Sequence, residues 1–270
     1  MYKVSFQGER GAYSEDAAIT FFKEGIDTVP HATFSEVVEA VESGSADYCV
    51  LPVENSLEGS VGESYDLLLS TKLTIVGEIY YRVRHCLIGF DILENIDTVY
   101  SHPQALGQCR RFIKEHKLKT IPSYDTAGSV KMIKELGKKN VSCIASKRAS
   151  EIYNVPTVSE GIEDNTNNYT RFLVLARDEV AGDKDRTSII FSVKHEAGAL
   201  FNILKEFDNY KINLTKIESR PNRSTPWEYN FYVDFDGRYD EPRIKDLLEK
   251  ITKRSLFLKV LGSYKKAKIA

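Results

Sequence analysis

Polar clusters able to bind and protonate a substrate recur in this sequence at the ends of apolar runs. Asn168-Tyr169-Thr170-Arg171-Phe172 opens directly into Leu173-Val174-Leu175-Ala176. Pro52-Val53-Glu54-Asn55-Ser56 follows the apolar Tyr48-Cys49-Val50-Leu51 and places a carboxylate, an amide and a hydroxyl side by side, with Glu58-Gly59-Ser60-Val61 behind them. Ser101-His102-Pro103-Gln104-Ala105-Leu106 and Asp125-Thr126-Ala127-Gly128-Ser129 each stand between a short strand and a helix. His102 can give or take a proton near neutral pH. A glycine turn, Gly8-Glu9-Arg10-Gly11-Ala12-Tyr13-Ser14, leads a strand into a helix whose first N–H groups can meet an anion.

Every one of these clusters also has a plain structural explanation. The first reads as a capped strand with a salt bridge, the second as an N-cap group in which Asn55, Ser56 and Ser60 satisfy backbone donors. Ser101 or His102 serves equally as a helix cap, and glycine turns are commonplace. Their joint placement is more informative than any one of them. Open α/β sheets hold ligands at strand ends facing a crevice, so these junctions converge on one cleft if the domain has two lobes.

Other chemistries lack their signatures. The glycine turn has neither the dinucleotide nor the phosphate-loop spacing, and no H-E-x-x-H, G-x-S-x-G or C-x-x-C pattern is present. The five histidines are scattered. A reaction needing no metal and no cofactor is expected.

Strands and helices alternate up to residue 180: KVSFQG, SEDAAITFFKEG, TFSEVVEAVESG with a Thr33/Glu36 capping box, ADYCVLPVEN and GESYDLLLST. The long β-rich run 73–90 suggests a crossing between two lobes, with 170–177 returning the chain to the first. Short strands DTVYS, LKTIPSYD and NVSCIAS flank a helix opened by Pro103 and another begun at Asp125. Such alternation implies mainly parallel sheets covered by helices, here a two-lobed α/β domain over 1–180. Residues 178–186 read as a polar linker. After it the order βαββαβ over 187–265 is the ferredoxin-like arrangement.

Bulk properties agree with this outline. A chain of 270 residues, 42% hydrophobic and 28% charged, suits two globular domains. A formal net charge of −2 argues against a general nucleic-acid binder. Neither a membrane span nor a signal peptide is evident, and the four separated cysteines fit a reduced, cytoplasmic setting.

Taken together, the clusters resemble the prephenate dehydratase family with a C-terminal ACT regulatory domain. The resemblance is carried by Pro52–Ser56, Gly59-Ser60-Val61, His85-Cys86-Leu87, Ser101–Leu106 and above all Asn168-x-Thr170-Arg171-Phe172, and it runs over essentially the whole chain. It implies a periplasmic-binding-protein-like catalytic domain that converts prephenate to phenylpyruvate, with loss of water and carbon dioxide. Aromatisation drives such a reaction, so general acid catalysis and positioning suffice.

By the same resemblance Thr170 is the central residue, hydrogen-bonding the leaving hydroxyl or the departing carboxylate. Glu54, if burial raises its pKa, or else His102 stands behind it as the acid. Arg171 is assigned to a substrate carboxylate, with a structural ion pair as the alternative, and Phe172 to packing beneath the site. Asn168, Asn55 and Ser56, together with the helix starts near Ser14, Ser101, Gln104 and Thr126, complete the expected substrate contacts. Gly198-Ala199-Leu200 and Glu218-Ser219-Arg220-Pro221 resemble two effector-site signatures, implying feedback by L-phenylalanine in a homodimer or homotetramer. Glu9 and Ala12 depart from the Pro and Ser/Thr usual in the first turn. The chain is expected to be a monofunctional form without a chorismate mutase segment or transit peptide. Arogenate dehydratase is the near alternative; a non-catalytic amino-acid sensor is the distant one.

Overall fold

The computed structural model describes residues 1–222 and 227–269. Its first stretch contains β1 (Tyr2–Gln7), α1 (Tyr13–Phe22), β2 (Ile26–His31), α2 (Phe34–Glu42), β3 (Tyr48–Asn55) and β4 (Gly59–Ser60). Next come α3 (Gly62–Ser70), β5 (Thr74–Arg82), β6 (Cys86–Gly89), β7 (Thr98–Ser101), α4 (Pro103–Gln108) and α5 (Arg110–Glu115). The series continues with β8 (Lys119–Pro122), α6 (Thr126–Leu136), β9 (Val141–Ala145), α7 (Lys147–Tyr153), β10 (Thr157–Glu160) and β11 (Tyr169–Ala176).

These strands make two sheets. One has the order β2-β1-β3-β11-β5 with β4 paired to β3; the other has the order β10-β6-β9-β7-β8. The apolar run 73–90 divides where expected, giving β5 to the first sheet and β6 to the second. β11 then returns the chain to the first sheet. The second sheet carries an apolar layer on each face: Val130, Ile133, Cys143 and Ala149 are buried on one side, Leu87, Val99, Ile113 and Ile144 on the other. Parallel pairing dominates where helices connect the strands, as in β1–β2, β1–β3, β7–β8 and β7–β9.

Local signals explain the main helix starts. Thr33 and Glu36 form the reciprocal capping box, Pro103 occupies the first turn of α4, and the Asp125 side chain accepts from Gly128 N–H. Several elements were not visible in the sequence. β2 and β10 are edge strands, β2 containing Pro30 and β10 a register shift, so neither needs the apolar alternation of a central strand. The helix expected from Pro103 onward breaks at Cys109 into α4 and α5.

Beyond the linker lie β12 (Arg186–Ser192), α8 (Ala199–Asn209), β13 (Leu214–Pro221), β14 (Tyr229–Asp236), α9 (Pro242–Arg254) and β15 (Phe257–Tyr264). The antiparallel sheet order β13-β14-β12-β15 is the ferredoxin-like topology. Ile189, Phe191, Val233 and Phe235 pack with Ile203, Phe207, Ile244 and Leu247 of the two helices into its core.

By contacts, Met1–Ser60 and Tyr80–Phe172 form one compact unit, and Val61–Ile79 with Leu173–Lys268 form another. α3 and the first part of β5 therefore belong with the C-terminal sheet, although they precede it by a hundred residues of chain. Tyr232 Oη donates to Tyr65 O at 2.8 Å, and Thr74 Oγ1 donates to Leu261 O at 3.0 Å. Buried Glu78 pairs with buried Arg186 at 2.6 Å. Among the described residues no helix is long and apolar enough to cross a membrane.

Candidate active site

Within the first unit a pocket of about 100 Å³ is lined by Tyr13, Asn55, Val83, His85, His102, Gln104, Ala105, Gln108, Thr126 and Thr170. Each of the five junctions singled out in the sequence contributes to it. Tyr13 comes from the start of α1, Asn55 from the end of β3, His102 and Gln104 from the start of α4, Thr126 from the start of α6, and Thr170 from the start of β11.

A directed chain of hydrogen bonds forms one wall. The backbone N–H groups of Leu57 and Glu58 donate to Asn55 Oδ1 at 2.9 and 3.1 Å. That fixes the amide, so Asn55 Nδ2 faces Thr170 Oγ1 at 3.0 Å and Asn168 Oδ1 at 2.8 Å. Asn168, fully buried, passes the direction on through Nδ2 to Gln108 Oε1 at 2.8 Å. His85 Nε2 lies 2.8 Å from the same Gln108 oxygen and must therefore carry a proton. On its other side His85 Nδ1 is 2.8 Å from Tyr13 Oη, which also reaches Arg84 O at 2.9 Å. Burial pushes the His85 imidazole below its ordinary pKa, outweighing the opposite pull of Gln108 and the nearby Glu163. Burial likewise holds the Tyr13 phenol well above its usual range, with neighbouring ionisable groups adding to it.

The remaining sequence expectations fall less neatly. Glu54 and Arg171 do not line the pocket. They adjoin Asn55 and Thr170 on β3 and β11, and successive strand residues face opposite ways. Glu54 is only half-buried. Arg171 is buried within the sheet. Ser56 Oγ instead ties its turn to β11, donating to Asn167 O at 2.8 Å and accepting from Tyr169 N–H at 3.0 Å. Ser101 Oγ is committed to Ile144 O at 2.6 Å inside the second sheet. Ser14 is buried beside Tyr13 without reaching the lining, and Phe172 packs in the core.

His102 acts as the N-cap of α4, its Nδ1 accepting from Gln104 N–H at 3.3 Å, and still lines the pocket. The glycine turn does not present a free anion site. Gly11 N–H is taken by Glu15 at 2.6 Å, and a Cβ on Gly11 would meet the Ala149 backbone at 2.7 Å. The turn's glycine is required by that close approach.

Gln108 and Tyr13 were not picked out from the sequence, and His85 was quoted without a role. Gln108 stands four residues after Gln104 on the same helical face, the one signal that could have found it. Tyr13 also lines a second hollow of about 380 Å³, together with Asp16, Tyr81, Arg84 and Arg148. Asp16 accepts from Tyr81 at 3.1 Å and lies 3.3 Å from Arg148 Nε. Burial nevertheless raises its pKa to about 7, against the lowering effects of Tyr81 and Arg148.

In the second unit Gly198 caps α8 with φ +83°, and Ala199 and Leu200 open the helix. Ser192 pairs with Asn230, which pairs with Arg220, so the exits of β12 and β13 lie at one end of the sheet. Glu218 to Pro221 thus end on the side from which the chain leads to Gly198. Among the described residues no group of three or more His, Cys, Asp or Glu is placed to hold a metal ion.

A family model described as prephenate dehydratase matches residues 4–180. A bifunctional chorismate mutase/prephenate dehydratase of Pseudomonas aeruginosa is 40% identical over 98% of this chain and 73% of its own length. An arogenate dehydratase/prephenate dehydratase of Arabidopsis thaliana is 42% identical over 97% and 72%. Among solved structures, the quorum-quenching acylase GqqA superposes with a TM-score of 0.90 at 32% identity, covering 98% of both chains. The prephenate dehydratase of Arthrobacter aurescens in complex with L-Phe does so with a TM-score of 0.88 at 27% identity, over 99% of this chain and 93% of that one.

Fold and pocket together define a two-lobed α/β enzyme unit of the dehydratase class, joined in one chain to an ACT-type unit. The chain belongs to the prephenate dehydratase family.

Proposed function

We propose that the pocket around Thr170 carries out the decarboxylating dehydration of prephenate to phenylpyruvate. The observation that carries this reading is the direction of the Asn55–Thr170 hydrogen bond. Because Thr170 Oγ1 accepts from the amide, its own proton is left to donate into the pocket. Donation to the leaving hydroxyl helps it depart as water, while the electron pair of the ring carboxylate's C–C bond completes the aromatic ring and releases carbon dioxide. His102 also lines the pocket; with Nδ1 accepting from Gln104 N–H its imidazole is neutral, so Nε2–H donates a second hydrogen bond to the leaving oxygen and the one proton that completes the water is drawn from solvent. No Lys or Arg is part of the pocket lining. A carboxylate held there without a cation loses an unfavourable charge on leaving as carbon dioxide.

The same geometry disfavours acyl transfer with Thr170 as nucleophile. A nucleophilic hydroxyl needs a base to take its proton, whereas Thr170 Oγ1 faces an amide donor. Arogenate remains the alternative substrate, since the difference lies in a side-chain amino group remote from the ring chemistry. The catalytic domain is taken over 1–180 and the ACT-type regulatory domain over 187–265, with catalysis in the first and regulation in the second. The regulator is L-phenylalanine, bound near Gly198-Ala199-Leu200 and Glu218-Ser219-Arg220-Pro221 in a homodimer or homotetramer, and the setting is cytoplasmic. The similar Arthrobacter structure with L-Phe bound supports the choice of effector.

Incubating the purified protein separately with prephenate and arogenate, and following the aromatic product, tests this reading. Formation of phenylpyruvate from prephenate is expected. Consumption of neither substrate would overturn the enzymatic assignment, and consumption of arogenate alone would move it to the alternative.

A further inference from the structure

We propose that Arg220 and Lys259 are positioning residues for the pocket amide Asn55, acting through helix α3. This deepens the regulated-dehydratase reading and rests on it.

The orientation of Asn55 comes from the turn that follows it. Leu57 and Glu58 N–H groups fix its Oδ1, and β4 holds that turn closed, with Gly59 opposite Asn55 and Ser60 opposite Glu54. One residue after Ser60 the chain enters α3. The helix therefore anchors the exit of the hairpin that aims Asn55 at Thr170.

α3 is gripped at both ends by cations of the C-terminal sheet. At its C-terminus Lys259 Nζ donates to the carbonyls of Leu68 at 3.0 Å and Leu69 at 2.9 Å, and to that of Thr71. The last carbonyls of a helix lack intrahelical partners, and a cation suits the negative end of the helix dipole. At its start the guanidinium of Arg220 lies over Gly62, where a Cβ would stand 2.6 to 2.8 Å from Nη2, Nη1 and Cζ. One turn on, Asp66 Oδ2 is 3.7 Å from Arg220 Nη2.

Helix stability does not account for Arg220. A cation near a helix N-terminus opposes the dipole, and Arg220 Nε is buried with no hydrogen-bond partner among the described residues. The side chain is held there at a cost. Arg220 also belongs to Glu218-Ser219-Arg220-Pro221, the segment resembling an effector signature. Its guanidinium is turned toward α3. A change at the end of β13 thus has a mechanical route to Asn55: Arg220, α3, the β3–β4 hairpin, then the amide.

The test combines hydrogen exchange, read by mass spectrometry over residues 56–70, with steady-state kinetics on the full chain. In Arg220→Met and in Lys259→Met, exchange over this stretch should rise and kcat should fall about tenfold while KM moves less than about twofold. Lys259→Arg should restore most of kcat, which a generic loss of packing would not allow. Should Arg220→Met fail to fold, Gly62→Ala displaces the same guanidinium from a folded chain and should give the same kinetic split. Faster exchange with unchanged kcat, or unchanged exchange in both variants, would overturn the inference. A parent protein that consumes neither prephenate nor arogenate would sink the functional reading instead, and exchange at 56–60 would still decide whether Arg220 and Lys259 hold the hairpin.

Discussion

Asn55 Nδ2 lies 3.0 Å from Thr170 Oγ1, and two backbone N–H groups aimed at Asn55 Oδ1 make the amide the donor in that contact. The threonine hydroxyl thereby keeps its own proton on the side of the pocket that Thr170 lines. The direction of the whole wall, from Asn55 through Asn168 and Gln108 to His85, follows from those two backbone groups.

Asn55→Asp is nearly isosteric and reverses this polarity. One aspartate oxygen would still accept from Leu57 and Glu58, but the other would draw the Thr170 proton away from the pocket and oppose Asn168 Oδ1. Turnover of prephenate should fall about 10²–10³-fold, the scale seen when an oriented donor is lost, with little change in KM. Steady-state kinetics on the purified variant checks this; a loss below about threefold would be inconsistent with the directed wall.

His85 gives the fold a dependence on acid. Its folded pKa is lowered by burial, so below the ordinary histidine value the unfolded chain gains a proton that the folded one does not. Stability should therefore fall as pH drops below about 6.5, and His85→Gln, which keeps hydrogen-bonding capacity, should flatten that fall. Denaturant titrations at pH 7.5 and pH 5 measure it, with identical pH slopes for parent and variant as the contrary result.

Asp16 works in the opposite sense. Its folded pKa is raised to about 7, so its contribution to stability is full below the ordinary aspartate pKa and is lost as pH rises through 7. Asp16→Asn should stabilise the protein at pH 8 by up to about 4 kcal/mol, a shift of that size converted at 1.36 kcal/mol per unit, and the gain should vanish toward pH 4. A gain independent of pH would show that the burial of charge is not its cause.

Gly198 tests the effector reading. Its φ of +83° favours glycine, while the nearest atom to an added Cβ is Asn202 Nδ2 at 3.9 Å, so Gly198→Ala is strained by conformation and not by space. Basal kcat and KM should stay within about twofold of the parent, while the phenylalanine concentration for half-maximal response rises about tenfold. Equal responses in titrations of both proteins would move the effector site elsewhere.

Much of this architecture was legible in the sequence because it is written in local chemistry. Thr33 with Glu36, Pro103 and Asp125 announce helix starts, and the change of rhythm after Arg186 announces a second fold. Edge strands β2 and β10 lack an alternating apolar face, so they left no mark. At the site, the five junctions were readable but not the facing of residues within them. Choosing between Glu54 and Asn55, or between Thr170 and Arg171, requires knowing on which side of the sheet the pocket opens. Ser56 and Ser101 carry suitable hydroxyls, yet both bind backbone carbonyls contributed by distant segments. Gln108 gains its meaning only from His85 and Asn168, at sequence separations of 23 and 60.

The central claim is that Asn55 and Thr170 act as one donor unit on prephenate. A double-mutant cycle with Asn55→Ala, Thr170→Ala and the pair, read as kcat for phenylpyruvate formation, tests it most directly. If the claim holds, each single change removes most of the rate and the double variant is within about threefold of the worse single. Losses that multiply, or a Thr170→Ala enzyme with parental turnover, would contradict it.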